Sequence, residues 1–264
     1  MQPTIKNLES LVQFRSLMNT SLSENKVKQI WGKKFLKNLD KNTLEILKEK
    51  ENSNVRKKTE IVKNNIPKLK VFNWVQFIGI SGSVAAGFAG KEDDIDLFIV
   101  VKNGTMWVYR AVVVFRNLFH NTIRAKRHKN VKDKLCINLI CEEKGLKFDS
   151  DMFNFHELMF LIPIYNKEYI RKIYSENEWL VEDYGVKKEL LRTRIIAKKR
   201  ANLLIRMINY FSFLSQLLFM KIAKHNPDME RLIKNSKKGR IEFFEYDYRE
   251  KILKNYLKEF KSIS

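Results

Sequence analysis

The sequence predicts an α+β fold, in which a small mixed β-sheet is preceded and followed along the chain by helical regions. Apolar runs at 71–80, 94–101 and 135–141 have the length and composition of strands. Longer segments on either side of them repeat their apolar residues at helical spacing. A chain of 264 residues with 44% hydrophobic residues is long and apolar enough to bury a sizeable core.

The order of these patterns suggests three parts. We predict a helical N-terminal region over 1–66, a core over 67–185 that holds the three strands, and a helical C-terminal region over 186–264. Pro67 is expected to end the last N-terminal helix, because proline lacks an N–H group and disfavours a helical residue before it. A helix ending before Pro163 is predicted within the core.

The C-terminal region contains an unusually apolar helix. Its centre, 207–220, is a run of 14 residues without charge that still includes asparagine, serine and glutamine. A membrane-spanning helix needs about 20 mostly apolar residues. We therefore predict a helix that packs on the core or on a partner subunit, and no membrane span.

The net charge of +21 is unevenly distributed along the chain. Residues 1–70 carry +9 and residues 186–264 carry +12, whereas 71–185 are balanced. Basic flanks around a neutral core favour contact with a phosphate backbone, so nucleic acid is a possible partner. Richness in Lys, Asn and Ile is also what AT-rich coding produces, and the charge alone does not choose between these explanations.

The two cysteines, Cys136 and Cys141, lie in one apolar stretch at odd spacing, which predicts opposite faces of a strand. They indicate neither a disulfide framework nor a zinc site. The N-terminus has no basic segment followed by an apolar run, so no signal peptide is predicted. Reduced thiols and the lack of a signal peptide favour a cytoplasmic location.

The stretch 80–101 carries the candidate chemistry. Gly82 and Ser83 form a turn after the first strand, and Asp94 and Asp96 enter the second. Residues two apart in a strand project to the same face, so the two carboxylates should lie together. Two buried carboxylates repel each other unless a cation lies between them, and Mg²⁺ prefers such ligands. The N–H groups of the turn and the Ser83 hydroxyl could hold a phosphate nearby.

These residues resemble the signature of the DNA polymerase β-like nucleotidyltransferase superfamily. Its pattern is an apolar strand, Gly-Ser, about ten residues, and then Asp-apolar-Asp-apolar, which matches Gly82-Ser83 and 94–97. The chain also resembles stand-alone prokaryotic nucleotidyltransferase-domain proteins of undefined substrate. The resemblance implies that 67–185 is a nucleotidyltransferase catalytic core, that Asp94 and Asp96 are catalytic and bind Mg²⁺, and that Gly82 and Ser83 hold the terminal phosphates of an NTP.

Members of this superfamily usually carry a third carboxylate on a further strand. In the third predicted strand the central polar residue is Asn138, whose amide can bind a metal but cannot act as a base. Glu142 has the same parity at the strand end and is the best substitute as a catalytic residue. Arg110 is a candidate triphosphate ligand if its helix begins near the carboxylates; otherwise it is a surface residue.

The leading hypothesis is a Mg²⁺-dependent enzyme that transfers a nucleoside monophosphate from an NTP to a hydroxyl group and releases pyrophosphate. The acceptor is undetermined and could be a small molecule, an RNA end or a protein hydroxyl. The absent third carboxylate motivates an alternative, a catalytically weak nucleotide-binding regulatory protein. A third hypothesis is a nucleic-acid-binding scaffold that uses the basic flanks.

Overall fold

The computed structural model describes residues 2–47, 52–124, 130–195, 200–222, 228–242 and 246–263. Within them, five strands alternate with helices along the chain. The strands are β1 (Val75–Ile80), β2 (Ile95–Val101), β3 (Leu135–Glu142), β4 (Ile162–Tyr165) and β5 (Arg240–Glu242). The α-helices are α1 (Ile5–Ser16), α2 (Glu24–Trp31), α3 (Lys33–Lys37), α4 (Lys41–Ile46), α5 (Ser53–Leu69), α6 (Gly82–Ala86), α7 (Met106–His120), α8 (Met152–Phe160), α9 (Ile170–Ser175), α10 (Trp179–Glu182), α11 (Leu203–Ile222), α12 (Met229–Lys237) and α13 (Tyr246–Ile263).

The five strands form one mixed sheet in the order β4-β1-β2-β3-β5. β2 runs parallel to β3, and the other neighbouring pairs are antiparallel. The predicted α+β class with a small mixed sheet is therefore confirmed, and the three strands predicted from the sequence are its three central strands.

Helices cover both faces of the sheet. On β2, Leu97 and Ile99 face a cluster that includes residues of α5, α7, α11 and α12. Phe98 and Val100 face the opposite cluster, which includes residues of α1, α2, α8 and α13. This explains why β2 reads as a nearly continuous apolar run, because a strand buried on both faces has no polar side.

Two local features differ from the sequence prediction, and a third agrees with it. Pro67 does not stop its helix, since α5 continues to Leu69. The helix predicted to end before Pro163 does so, as α8 ends at Phe160, and Pro163 lies in β4, an edge strand, where a missing N–H is tolerated. β5 comes from the predicted helical C-terminal region and completes the other edge.

Helix α11 packs lengthwise against α7. The Asn209 side chain accepts hydrogen bonds from the backbone N–H groups of Trp107 and Val108 at 2.8 and 3.1 Å. By length and composition alone, α11 is apolar enough to cross a membrane, yet only about 6% of its most apolar window is buried. The structure therefore shows a helix attached to the core by one side, with most of its apolar surface exposed.

Candidate active site

Gly82 brings the end of β1 against the start of β2. The Ser81 N–H donates to the Asp96 carbonyl oxygen at 2.9 Å, and Gly82 then opens the short helix α6 with φ +61°. A Cβ atom at Gly82 would lie 2.2 Å from Asp96 Oδ2, which no real side chain could do. A glycine is therefore required twice here, by the left-handed backbone and by the approach of the Asp96 carboxylate.

The two predicted carboxylates lie together at the start of β2. One ligand atom from each of Asp94, Asp96 and Cys136 lies within 4.8 Å of the others. Burial, together with the negative charges of Asp94 and Glu157, raises the pKa of Asp96 to about 7. An added cation would remove most of this penalty, because it would favour the charged form of both carboxylates.

Arg124 lies on the open side of this cluster. Its guanidinium Nη1 contacts Asp94 Oδ2 at 2.7 Å, and about half of its side chain is exposed. The hydrogen bond to Asp94 raises the pKa of Arg124. The site therefore presents a partly exposed, permanently charged cation next to the carboxylates.

A third carboxylate, that of Glu157 on α8, lies next to the Gly82 turn. Glu157 Oε2 lies 3.5 Å from the backbone N of Gly82, and its charge contributes to the raised pKa of Asp96. Its neighbour His156 is buried, and burial lowers the pKa of the imidazole, which favours the neutral form.

The tautomer of His156 follows from its contact with Arg15. Arg15 Nη1 lies 3.0 Å from His156 Nε2. A guanidinium can only donate, so Nε2 accepts and the neutral ring carries its proton on Nδ1. Nδ1 faces Glu157 Oε1 at 3.6 Å. Arg15 also donates to the Ala86 carbonyl at the end of α6, so this buried row connects α1, α6 and α8.

Ser83 stabilises the loop between α6 and β2. Its hydroxyl donates to Asp93 Oδ2 at 3.3 Å, and the same oxygen accepts from the Gly90 N–H at 2.8 Å. The Ser81 hydroxyl, by contrast, is buried and has no hydrogen-bond partner within the described residues. A buried hydroxyl without a partner is costly, which makes Ser81 a candidate for contact with a bound group.

The donor set fits a hard divalent cation. Asp94 and Asp96 supply the carboxylate oxygens that Mg²⁺ prefers. Burial raises the pKa of the Cys136 thiol, which keeps it protonated and makes it a poor ligand for a hard ion. Asp94 and Asp96 are therefore the residues that could hold the metal.

The structure does not place Asn138 in this cluster. Along β3, Cys136 pairs with Asp96 and Ile137 with Leu97, but Phe98 then pairs with Leu139. Asn138 is therefore the extra residue of a bulge, two positions and about 7 Å along the strand from Cys136. Cys136 takes the position beside the carboxylates that the sequence analysis gave to Asn138.

Glu142 lies at the wrong end of the sheet to act on the same substrate. It pairs with Val101 at the far end of β2, where its buried Oε1 accepts from the N–H groups of Gly104 and Met106 at 2.8 and 3.4 Å. Its role is to cap the start of α7, where a carboxylate complements unpaired N–H groups. The position of Glu142 therefore does not support its predicted catalytic role.

Arg110, like Glu142, lies near the end of β2 that is opposite the two carboxylates. Helix α7 leaves the carboxyl end of β2, whereas Asp94 and Asp96 lie at its amino end, so the first turns of α7 begin far from the site. Arg110 is half-buried and donates to the Gln216 side chain of α11. It joins two helices, and the predicted contact with a triphosphate is not supported by its position.

The sequence analysis did not predict that Arg124, Glu157, Cys136 and Ser81 lie at the site. Arg124 begins a basic stretch that reads as a solvated loop, and Glu157 follows a histidine that lacks the spacing of a zinc motif. A usable signal existed for Glu157: the pair His156-Glu157 interrupts an otherwise apolar helix, and buried charged residues need a reason.

A large cleft lies beyond the other end of α6. It has a volume of about 940 Å³ and is bordered by Arg15, Lys26, Asn52 and the 85–88 segment. Asp94, Asp96 and Glu157 do not line it. This cleft is next to the candidate site and separate from it.

Comparison with known proteins found no match among curated proteins and none among solved structures. A family model described as "Nucleotidyltransferase domain" matches residues 55–210, more than half of the 264 residues. The matched range contains Gly82, Asp94, Asp96 and Glu157, and it confirms the resemblance to DNA polymerase β-like nucleotidyltransferases. The chain therefore belongs to the nucleotidyltransferase-domain family, and it is a transferase of phosphorus-containing groups.

Proposed function

We propose that the protein transfers a nucleoside monophosphate from an NTP to a hydroxyl acceptor in a Mg²⁺-dependent reaction that releases pyrophosphate. The observation that carries the proposal is the approach of Gly82 to Asp96, with Asp94 alongside. It joins a phosphate-binding turn to a carboxylate pair in one small space. When bound, Mg²⁺ would supply a Lewis acid for the phosphoryl oxygens.

The residues around the pair have separate roles in this proposal. The backbone of Gly82 and the Ser81 hydroxyl, which has no partner among the described residues, bind the terminal phosphates of the nucleotide. The Ser83 hydroxyl joins them by exchanging its 3.3 Å bond to Asp93 for one to a phosphate oxygen. Arg124 supplies the charge next to them that the sequence analysis assigned to Arg110, because it is partly exposed and already in contact with Asp94.

Glu157 takes the role of the third carboxylate. It borders Gly82, influences the pKa of Asp96, and faces the protonated Nδ1 of His156. In many enzymes the general base is oriented by a second side chain, which a third side chain holds in place. Glu157, His156 and Arg15 form such a row. We infer that Glu157 takes the proton from the hydroxyl group of the acceptor substrate. His156 and Arg15 are positioning residues.

The acceptor class is open among a small molecule, an RNA end and a protein hydroxyl. The basic flanks favour a phosphorylated acceptor, since both ends of the chain carry a net positive charge. We propose a cytoplasmic location, which the two free cysteines support, because disulfides form and persist in oxidising compartments.

The proposal is tested by incubating the protein with each labelled NTP, Mg²⁺ and a cell extract, and measuring both pyrophosphate and nucleotide-labelled products. Asp94→Asn and Asp96→Asn should abolish Mg²⁺-dependent NTP binding. Release of pyrophosphate at the wild-type rate by both variants would refute the proposal.

Glu157→Gln separates the role of the base from that of the metal site. The variant should bind Mg²⁺ and NTP but lose about 10²–10⁴-fold in turnover, the typical contribution of a general base. Glu168→Gln is the matched control, because Glu168 is an exposed glutamate whose ion pair with Arg171 lies within one short segment. Equal turnover of the two variants would remove Glu157 from the mechanism.

A second candidate function is a nucleotide-binding regulatory protein with little turnover. The observation that favours it is Cys136, which occupies the place beside Asp96 where a carboxylate would serve a second metal. This candidate predicts Mg²⁺-dependent NTP binding without pyrophosphate release from any acceptor. A nucleic-acid scaffold instead predicts salt-sensitive RNA or DNA binding that persists in Asp94→Asn and Asp96→Asn.

A further inference from the structure

Exposed large apolar side chains are concentrated on two helices. Among the described residues nineteen such side chains are exposed, and ten of them lie on α11 and four on α7. We call these fourteen residues the α7/α11 face: Val114, Phe115, Leu118, Phe119, Leu203, Leu204, Met207, Ile208, Tyr210, Phe211, Leu214, Leu218, Phe219 and Ile222. Contiguous apolar exposure of this extent marks an interaction site on a folded protein.

The contacts between the two helices show how the face is held. Asn209 bonds the backbone of Trp107, Gln216 donates to the Trp107 carbonyl, and Arg110 donates to Gln216. Later residues of α7 thus meet later residues of α11, so the helices run parallel and side by side. Asn209 and Gln216 of α11 are bonded to α7, while the exposed apolar residues of α11 lie outside this contact.

The two helices of the face carry charge of a single sign. Neither α7 nor α11 contains an acidic residue, and the sequence has none between 97 and 132 or between 190 and 227. Exposed basic side chains lie within and next to α11, namely Arg192, Arg194, Arg200, Arg206 and Lys221. Aromatic and aliphatic residues combined with Lys and Arg are the composition of surfaces that insert into the interface of an anionic membrane.

We propose that the α7/α11 face docks on an anionic lipid surface, with α11 lying in the interfacial plane. A second copy of the chain is a less suitable partner for the face, because a symmetric contact would bring the basic side chains of both copies together. A membrane span fits less well too, since Asn209 and Gln216 would have to give up their bonds to α7 and enter the hydrocarbon region.

The test is flotation of the intact protein with vesicles of phosphatidylcholine alone or with 30% phosphatidylglycerol. We expect binding to the anionic vesicles at low salt, and at least about tenfold weaker binding to neutral vesicles and at 0.5 M salt. Phe211→Ser/Phe219→Ser should lower the binding by about tenfold or more. Phe72→Ser/Leu257→Ser is the matched control, because both residues are exposed apolar positions outside the face.

Four outcomes would overturn the proposal. The first is wild-type protein that stays unbound with anionic vesicles, and the second is equal loss of binding in the two double variants. The third is a stable dimer in light scattering that Phe211→Ser/Phe219→Ser dissociates, which would assign the face to a second copy. Retention on vesicles after alkaline carbonate washing would likewise replace interfacial docking by a span. Circular dichroism of each variant checks that the fold is kept.

Discussion

Asp96 is held where its negative charge is disfavoured. The carboxylate is enclosed by β2, the Gly82 turn and α8, and burial is the main cause that raises its pKa to about 7. Asp94, two residues earlier, has a cationic partner in Arg124. The two aspartates of one motif therefore have different environments, and the environment of Asp96 leads to a prediction about stability.

Asp96→Asn should stabilise the metal-free protein at alkaline pH. Because the folded pKa lies above the unfolded value of about 3.9, the folded state binds more protons between about pH 4 and 7. The stabilising contribution of protonated Asp96 is thus fully present below about pH 4, and it is lost as the pH rises to about 7. At pH 8 we expect Asp96→Asn to unfold at a higher temperature than the wild type, by about 2–4 °C for each kcal/mol of unfolding free energy that the buried charge costs the wild type. Near pH 4 the two unfolding midpoints should be the same.

Thermal unfolding in a chelator at several pH values checks this prediction, with Glu168→Gln as a control for loss of an exposed carboxylate. Added Mg²⁺ should raise the midpoint of the wild type and leave that of Asp96→Asn nearly unchanged. A lower midpoint for Asp96→Asn at pH 8 would show that the carboxylate charge is favourable in the folded protein.

Glu142→Ala tests the reassignment of Glu142 from catalysis to capping. Removing a buried acceptor for the N–H groups of Gly104 and Met106 should cost about 1–3 kcal/mol of unfolding free energy. Nucleotide transfer by the folded protein should be unchanged, because the residue lies at the opposite end of β2 from Asp96. Denaturant unfolding and turnover measured on the same sample check both parts. A loss of turnover with normal stability would restore the catalytic role.

At the scale of elements, the pairing register of β3 with β2 determines which residues of β3 lie next to the site. The bulge at Asn138 shifts the pairing by one residue, so Cys136 pairs with Asp96 and Cys141 with Val100. Asp96 and Val100 are four residues apart on β2 and share a face, which places both cysteines on that face despite their odd spacing. When the alternation of side chains is counted through a bulge as if the strand were regular, every residue after the bulge is assigned to the wrong face of the sheet.

Paired substitutions on β3 test this register. Cys136→Asp should add a third carboxylate next to Asp96, which lowers the stability of the metal-free protein at pH 8 and strengthens Mg²⁺ binding. Asn138→Asp should change both quantities much less, since its position is further along the strand. Calorimetric titration with Mg²⁺ and thermal unfolding of both variants provide the measurement. A larger gain in Mg²⁺ affinity for Asn138→Asp would mean that the register is wrong.

At the scale of the whole molecule, both terminal regions pack on the same sheet. Leu11 of α1 belongs to the cluster on one face, and Leu232 of α12 belongs to the cluster on the other. β5, from the C-terminal region, pairs with β3. Sharing one sheet should couple the unfolding of the predicted terminal regions to that of the core.

We therefore expect one cooperative unfolding transition for the whole chain. Leu11→Ala and Leu232→Ala, at two buried positions on opposite faces, should each lower the same midpoint, with a cost of about 2–5 kcal/mol. Calorimetry with far-ultraviolet and tryptophan signals recorded in parallel checks the coincidence of the transitions. Two separate transitions, with each variant affecting only one, would show that the terminal regions unfold independently.

The class of the fold, the three central strands and the family could all be predicted from the sequence alone. Local rules were sufficient for these features, because strand runs, the Gly82-Ser83 turn and the alternation of Asp94 and Asp96 depend on neighbours in the chain. The expected closeness of the two aspartates agrees with the observed 4.8 Å cluster. The paired strands and the family match confirm the fold class and the resemblance.

Only the tertiary structure decided which distant residues join that pair. Glu157 and Arg124 reach it from α8 and from the segment after α7, whereas Glu142 and Arg110 lie at the other end of β2. Their positions depend on the bulge in β3 and on which end of a strand a helix leaves. Both are set by the packing of the whole sheet, which carries no signal in the spacing of residues along the chain.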